Sequence, residues 1–157
     1  MWWRIPRSQW ERDRGGRNKK ALKNLVGQGA APGLLAYSDA EPVGWCSVGP
    51  RHVYSVLQRS RVMKPVDDVP VWSIVCFYIA RKWRHRGVGS ALVAAAVEEA
   101  RAAHAPAIEG YPVLPRGNGM PDLYAFTGVP AMFESAGFSE ISRRSETRAI
   151  YRLNLLP

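Results

Sequence analysis

The sequence predicts one α/β domain built on a central mixed sheet, and three observations carry that prediction. Residues 72–79 (WSIVCFYI) are a short, almost unbroken run of aromatic, aliphatic and β-branched side chains bounded by Pro70, the pattern of a strand buried on both faces. Residues 87 to about 104 then turn rich in alanine and leucine, carry Glu98, Glu99 and Arg101, and stop before Pro106, the pattern of a helix. Finally, 157 residues of which 46% are hydrophobic suffice for one core and one domain, residues 1–157.

The remaining elements follow in chain order. Residues 1–18 are a Trp/Arg-rich segment; Trp2, Trp3 and Trp10 are too aromatic for a disordered tail and are expected to dock on the domain or on a partner chain. Residues 11–18, with Gly15 and Gly16, read as a loop or frayed turn. Asn18 is placed to cap a helix over 19–28 with Leu22, Leu25 and Val26 facing inward. Residues 33–38 and 43–48 are two strands of a hairpin around a turn at 39–42. A longer segment, 49–70, follows, with VYSVLQRS expected to form a helical turn or two and Asp67–Asp68 an acidic edge, read as a solvated turn. Residues 107–113 are a strand, 115–121 a Gly/Pro loop, and 128–136 a helix capped by Thr127, with Pro130 in its first turn and Gly137 at its left-handed end. Residues 138–143 and 147–153 close the domain as an antiparallel pair.

The chain has 22 basic and 13 acidic side chains, a formal charge of +9. The cations gather in three clusters: 4–23, the 81–86 loop, and Arg143, Arg144, Arg148 and Arg152. Such an excess suits nucleic acid or another anion. No apolar run is long enough to span a membrane and no signal-peptide pattern opens the chain, so a cytoplasmic protein without membrane contact is expected. Cys46 and Cys76 lack C-x-x-C spacing and sit in expected strands, which argues for small core hydrophobes and against a metal site or a disulfide.

The junction between the 72–79 strand and the following helix points to phosphate. A helix start presents backbone N–H groups without intrahelical partners, and the helix dipole adds partial positive charge. Gly87 and Gly89 remove Cβ atoms there, and Arg81, Lys82, Arg84 and Arg86 surround it with cations. A Walker-type G-x-x-x-x-G-K-[ST] is absent. A dinucleotide fingerprint would need a small residue where Leu92 stands, although Glu109 lies at about the spacing of that motif's acid.

Arg84-His85-Arg86-Gly87-Val88-Gly89 fits [QR]-x-x-G-x-[GA], with Phe77-Tyr78-Ile79 ahead of it. This resembles the GCN5-related N-acetyltransferase (GNAT) superfamily, as does residues 131–138 (AMFESAGF) against the family's helix end before "GF". The resemblance implies a mostly antiparallel mixed sheet with helices on both faces and acetyl-CoA as co-substrate. It implies phosphates held by the amides of Arg86, Gly87, Val88, Gly89 and Ser90 with Arg84 and His85 nearby, and pantetheine laid against Phe77, Tyr78 and Ile79. The expected activity is acetyl transfer to a primary amine by direct attack on the thioester, with a backbone N–H near Tyr78 and Ile79 stabilising the oxyanion.

Two departures limit what transfers. The family's usual tyrosine acid falls at Phe133, and an early strand glutamate that some members use falls at Ser73, so Tyr124 and Glu109 are the catalytic candidates, with Tyr111 behind them. A full family domain also has a strand and usually a helix ahead of residue 19, roughly 30 to 40 residues more than are present here. Either the Trp-rich segment supplies that strand, or a sheet edge is left open and pairing into a homodimer is expected. Rival readings are an acyl-CoA-binding protein without turnover, a basic nucleic-acid-binding module, which would leave Gly87 and Gly89 unexplained, and, last, a dinucleotide oxidoreductase.

Overall fold

The computed structural model describes residues 1–114 and 122–156; the loop expected over 115–121 lies outside them. Among the described residues the sheet has six strands in the order β1-β2-β3-β4-β6-β5. They are β1 Leu34–Ser38, β2 Glu41–Pro50, β3 Val71–Ile79, β4 Ala107–Gly110, β5 Ser139–Ser145 and β6 Arg148–Asn154. Only β3 and β4 pair in parallel, because only they are joined by a crossover helix, α4 Val88–Ala102. All other neighbours are antiparallel. The mixed, mostly antiparallel sheet expected from the sequence is therefore the sheet that forms.

Side chains alternate along the strands and build two cores. On one face Cys46, Ile74 and Phe77 pack under Leu92, Val93, Ala96 and Val97 of α4, with Phe133 of α5 Pro130–Glu134. On the other face Val75, Tyr111 and Ile150 pack against Trp3, Tyr54 and Leu57, the last from α3 Ser55–Arg59. The amino-terminal segment thus docks on its own domain. Val56 N–H donates to the Trp3 carbonyl and the Ser55 hydroxyl to the Arg4 carbonyl, which ties residues 3–4 to α3.

Several local expectations are corrected. Residues 11–18 are not a loop: α1 Arg7–Arg12 and α2 Gly16–Gly27 occupy this region, the second starting from Gly15 at φ +73°. Asn18 does not cap, because it lies inside α2 and its amide donates to the Trp10 carbonyl at 2.9 Å. No α2 side chain is buried, and Val26 is exposed rather than inward. The Trp-rich segment contributes no strand; of the strand and helix implied ahead of residue 19, the structure supplies a helix, α1, and β1 is left as an open sheet edge. Thr127 does not cap α5, which begins after Val129; its hydroxyl accepts from Arg148 instead. β4 stops at Gly110, and only a single bridge, Val113 to Arg148, continues it past Pro112.

Candidate functional site

β3 has two different flanks. Against β2 it is paired along its length, from Pro50–Trp72 to Gly44–Ile79, with Val75 as an extra residue where the register shifts. Against β4 it is paired only from Val71–Ala107 to Ile74–Gly110. Beyond Ile74 the two strands part, and residues 75–79 have no strand on that side. A wedge opens in the sheet beside them.

Phe133 fills the base of this wedge. Its ring lies where a Cβ on Gly110 would sit, 2.0 Å from the ring's Cε1, so β4 must end on a residue without a side chain. The ring also makes edge contacts with Phe77 and Phe138, centroids 6.2 and 5.4 Å away. Phe133 is wholly buried.

Above that ring is a cavity of about 460 Å³ lined by Phe77 and Ile79 of β3, Trp83 and 84–85 of the loop, 87–90 of the α4 start, and Ala125, Val129 and Met132. α4 has no side-chain cap and no acid in its first turn; its internal ladder begins with Ala91 N–H on the Gly87 carbonyl. The N–H groups of residues 88–90 therefore face the cavity end without intrahelical partners. Gly87 is left-handed at φ +79°, and a Cβ there would touch nothing, so its need is conformational. Gly89 is the reverse: a Cβ would lie 2.7 Å from Met132 Cε and 3.4 Å from Ile79 Cδ1, so its need is space.

Of the residues singled out in the sequence, Phe77, Ile79, Arg84, His85, Gly87, Val88, Gly89 and Ser90 line this cavity. Tyr78 does not: alternation turns it to the other face, where it is 64% exposed. Arg86 does not line it either, and stacks over Trp83 at 5.6 Å. The Arg84 side chain donates to the Ile79 carbonyl at 3.2 Å, so it braces the loop against the strand end. His85 adopts a left-handed φ of +56°. The residues that sequence reasoning missed are Trp83, whose buried indole N–H has no partner, and Ala125, Val129 and Met132. Met132 stood within the recognised 131–138 stretch; Trp83 carried no signal beyond its place in the loop.

The structure does not bring the two catalytic candidates together. Tyr124 lies in a 3₁₀ turn, Asp122–Thr127, next to Ala125 of the cavity wall, with its side chain exposed. Glu109 is 1% exposed, opposite Ser73 where β3 and β4 are still paired. Its Oε2 accepts from Arg51 at 2.9 Å and Tyr111 at 2.8 Å, and its Oε1 accepts from Arg152 at 2.7 Å. A carboxylate so enclosed is an anchor for one buried and one part-buried guanidinium. Burial, with the Glu109 charge adding to it, drives the Tyr111 hydroxyl well above its usual range and keeps it a donor.

Comparison with known proteins agrees with this architecture. The family model "Acetyltransferase (GNAT) family" matches residues 1–115. Among solved structures, a protein assigned as a GNAT-family acetyltransferase from Desulfovibrio desulfuricans aligns at TM-score 0.56 and 22% identity, over 87% of this chain and 78% of its own. Ribosomal-protein-alanine N-acetyltransferase from Brucella melitensis aligns at TM-score 0.54 and 21% identity, over 88% and 76%. A chain of the NatC complex bound to Gag peptide and CoA aligns at TM-score 0.56 and 14% identity, over 87% and 79%. No curated protein matches the sequence. With the family model covering most of the chain and the glycine-started helix, split strand pair and "GF" helix in place, the protein belongs to the GNAT family of acetyltransferases.

Proposed function

We propose that this chain transfers the acetyl group of acetyl-CoA to a primary amine by direct attack on the thioester. The observation that carries the reading is the wedge between β3 and β4, opening on a cavity closed by the unpartnered N–H groups of the α4 start. The amides of residues 86–90 hold the pyrophosphate, with the basic loop adding charge. Pantetheine lies along 77–79 as a substitute strand, using backbone groups that β4 leaves unpaired. A backbone N–H at the open end of β3 receives the oxyanion as the carbonyl is attacked. Tyr124, beside the cavity wall, is the proton donor to the departing thiolate. Glu109 acts at one remove, by holding Tyr111 and Ser73 at the paired end of the strands.

The test is thiol release from acetyl-CoA in the presence of a panel of amines. Amine-dependent release of CoA, with the acetylated amine found by mass, supports the reading; Tyr124→Phe should slow it about a hundredfold or more, the lower end for one positioned acid. Phe133, apolar where the family's usual acid stands, favours a second reading: an acyl-CoA-binding protein without turnover. Tight binding of acetyl-CoA with no amine acetylated would select it. A cytoplasmic location is part of the same proposal.

A further inference from the structure

A second cavity, of about 290 Å³, lies on the sheet face opposite α4. Its walls are Trp2, Trp3 and Trp10 from the amino-terminal segment, Trp45 of β2 and Phe126 of the 3₁₀ turn, with Cys76 on the strand between. Sequence neighbours line it and the first cavity. Cys76 lines this one and its neighbour Phe77 the other; Phe126 lines this one and its neighbour Ala125 the other. Both therefore reach the open stretch of β3.

The chemistry of this second cavity is one-sided. It has five aromatic side chains, the cation of Arg4, Met1 with its amino group, Leu22 and the Ser47 hydroxyl, and no Asp, Glu or His among the described residues that line it. The Trp3 indole N–H is buried with only the Cys76 sulfur, a weak acceptor, beside it. A ligand here finds apolar faces and a donor needing an acceptor. It finds no carboxylate to counter an ammonium. Cation–π contact returns only part of what desolvating an ammonium costs, and Arg4 opposes it.

Resting on the acetyl-transfer reading above, we infer that this cavity takes the acceptor, and that the acceptor is a weakly basic amine: the α-amino group of an aromatic aminoacyl amide. Its ring packs among the tryptophans and its carbonyl accepts from Trp3. An α-amino group titrates near 7.7–8.0 against about 10.4 for a lysine side chain, so at pH 7.5 it offers roughly 250-fold more neutral amine. The neutral nitrogen attacks the thioester carbon; the C–N bond forms, the C–S bond breaks, the nitrogen's proton leaves to water, and Tyr124 protonates the thiolate and is reprotonated from solvent, giving amide and CoA thiol. Polyamines and lysine side chains, charged and without the ring, are excluded.

The probes are phenylalaninamide, phenethylamine and spermidine, with acetyl-CoA binding measured in parallel. Phenylalaninamide should exceed spermidine in kcat/KM by at least 50-fold at pH 7.5. Its rate should rise with pH and level off at its own pKa. Phe126→Ala should lower that kcat/KM tenfold and leave the acetyl-CoA Kd unchanged; Phe126→Asp, at a half-exposed position that tolerates charge, should shift preference towards spermidine. Preference for spermidine by the unaltered protein, or indifference to both Phe126 variants, would overturn the inference while leaving acetyl transfer standing. Bound acetyl-CoA with no turnover and no tryptophan fluorescence change on adding phenylalaninamide would overturn it too. Absence of acetyl-CoA binding would instead remove the reading on which it rests.

Discussion

Gly87 and Gly89 stand two positions apart and are glycine for different reasons. Gly87 needs a left-handed backbone, so Gly87→Ala should cost about 1 kcal/mol or somewhat more in stability, which thermal unfolding will show. At Gly89 the atom in the way is the end of Met132, a flexible side chain, so Gly89→Ala should leave the melting temperature nearly unchanged and push Met132 towards the cavity. The cysteines offer a second check. Burial pushes the Cys46 thiol up to about 12, so Cys46 should stay unreactive to a disulfide reagent near neutral pH until the protein is unfolded. Both glycines were legible as functional from their place at a helix start. That one answers to φ and the other to Met132 was not, because Met132 is distant in sequence and meets Gly89 only through the packing of α5 on α4. Arg84 was legible as a cation; its bond to the Ile79 carbonyl depends on the loop's path.

Among the elements, β3 and α4 were the most legible, since a continuous apolar run and an alanine-rich helix suffer little competition from context. The helix expected over 19–28 forms as α2, but its start differs because capping is decided by neighbours: the Trp10 carbonyl engages Asn18 from inside α2. The helical turn expected within 49–70 forms as α3, and Asp67, expected in a solvated turn, is exposed yet pinned with the stretch before it. Arg144 donates to the carbonyls of Lys64 and Pro65, and Asp67 pairs with Arg152 at 2.6 Å. The Arg152 bond holds the Asp67 carboxyl below its ordinary range. A depressed folded value means that this pair's stabilisation is present above the unfolded carboxylate value of about 3.9 and is lost as pH falls through the lower folded one. Asp67→Asn should therefore flatten the acid limb of the stability profile, measured by denaturant unfolding below pH 4. Glu109→Ala strips the buried Arg51 of its carboxylate and leaves Arg152 with Asp67 alone, and should cost about 3–5 kcal/mol in the same assay, a large effect for a residue outside the cavities.

Over the whole molecule, one strand separates two cavities of different character. The α4 side is built for an anion, through helix N–H groups and a basic loop; the opposite side is aromatic. The open β1 edge, with Leu35 and Tyr37 exposed, supports pairing with a second copy, and light scattering over a hundredfold concentration range should show a dimer that Tyr37→Lys weakens. The central claim is that the α4 start binds acetyl-CoA, and calorimetric titration at two salt concentrations tests it most directly. The expected result is one saturable site of micromolar affinity, weaker at high salt and lost in a Gly89→Val protein that still unfolds cooperatively. A folded protein that shows no binding, or a Gly89→Val protein that binds as tightly as the original, would contradict it.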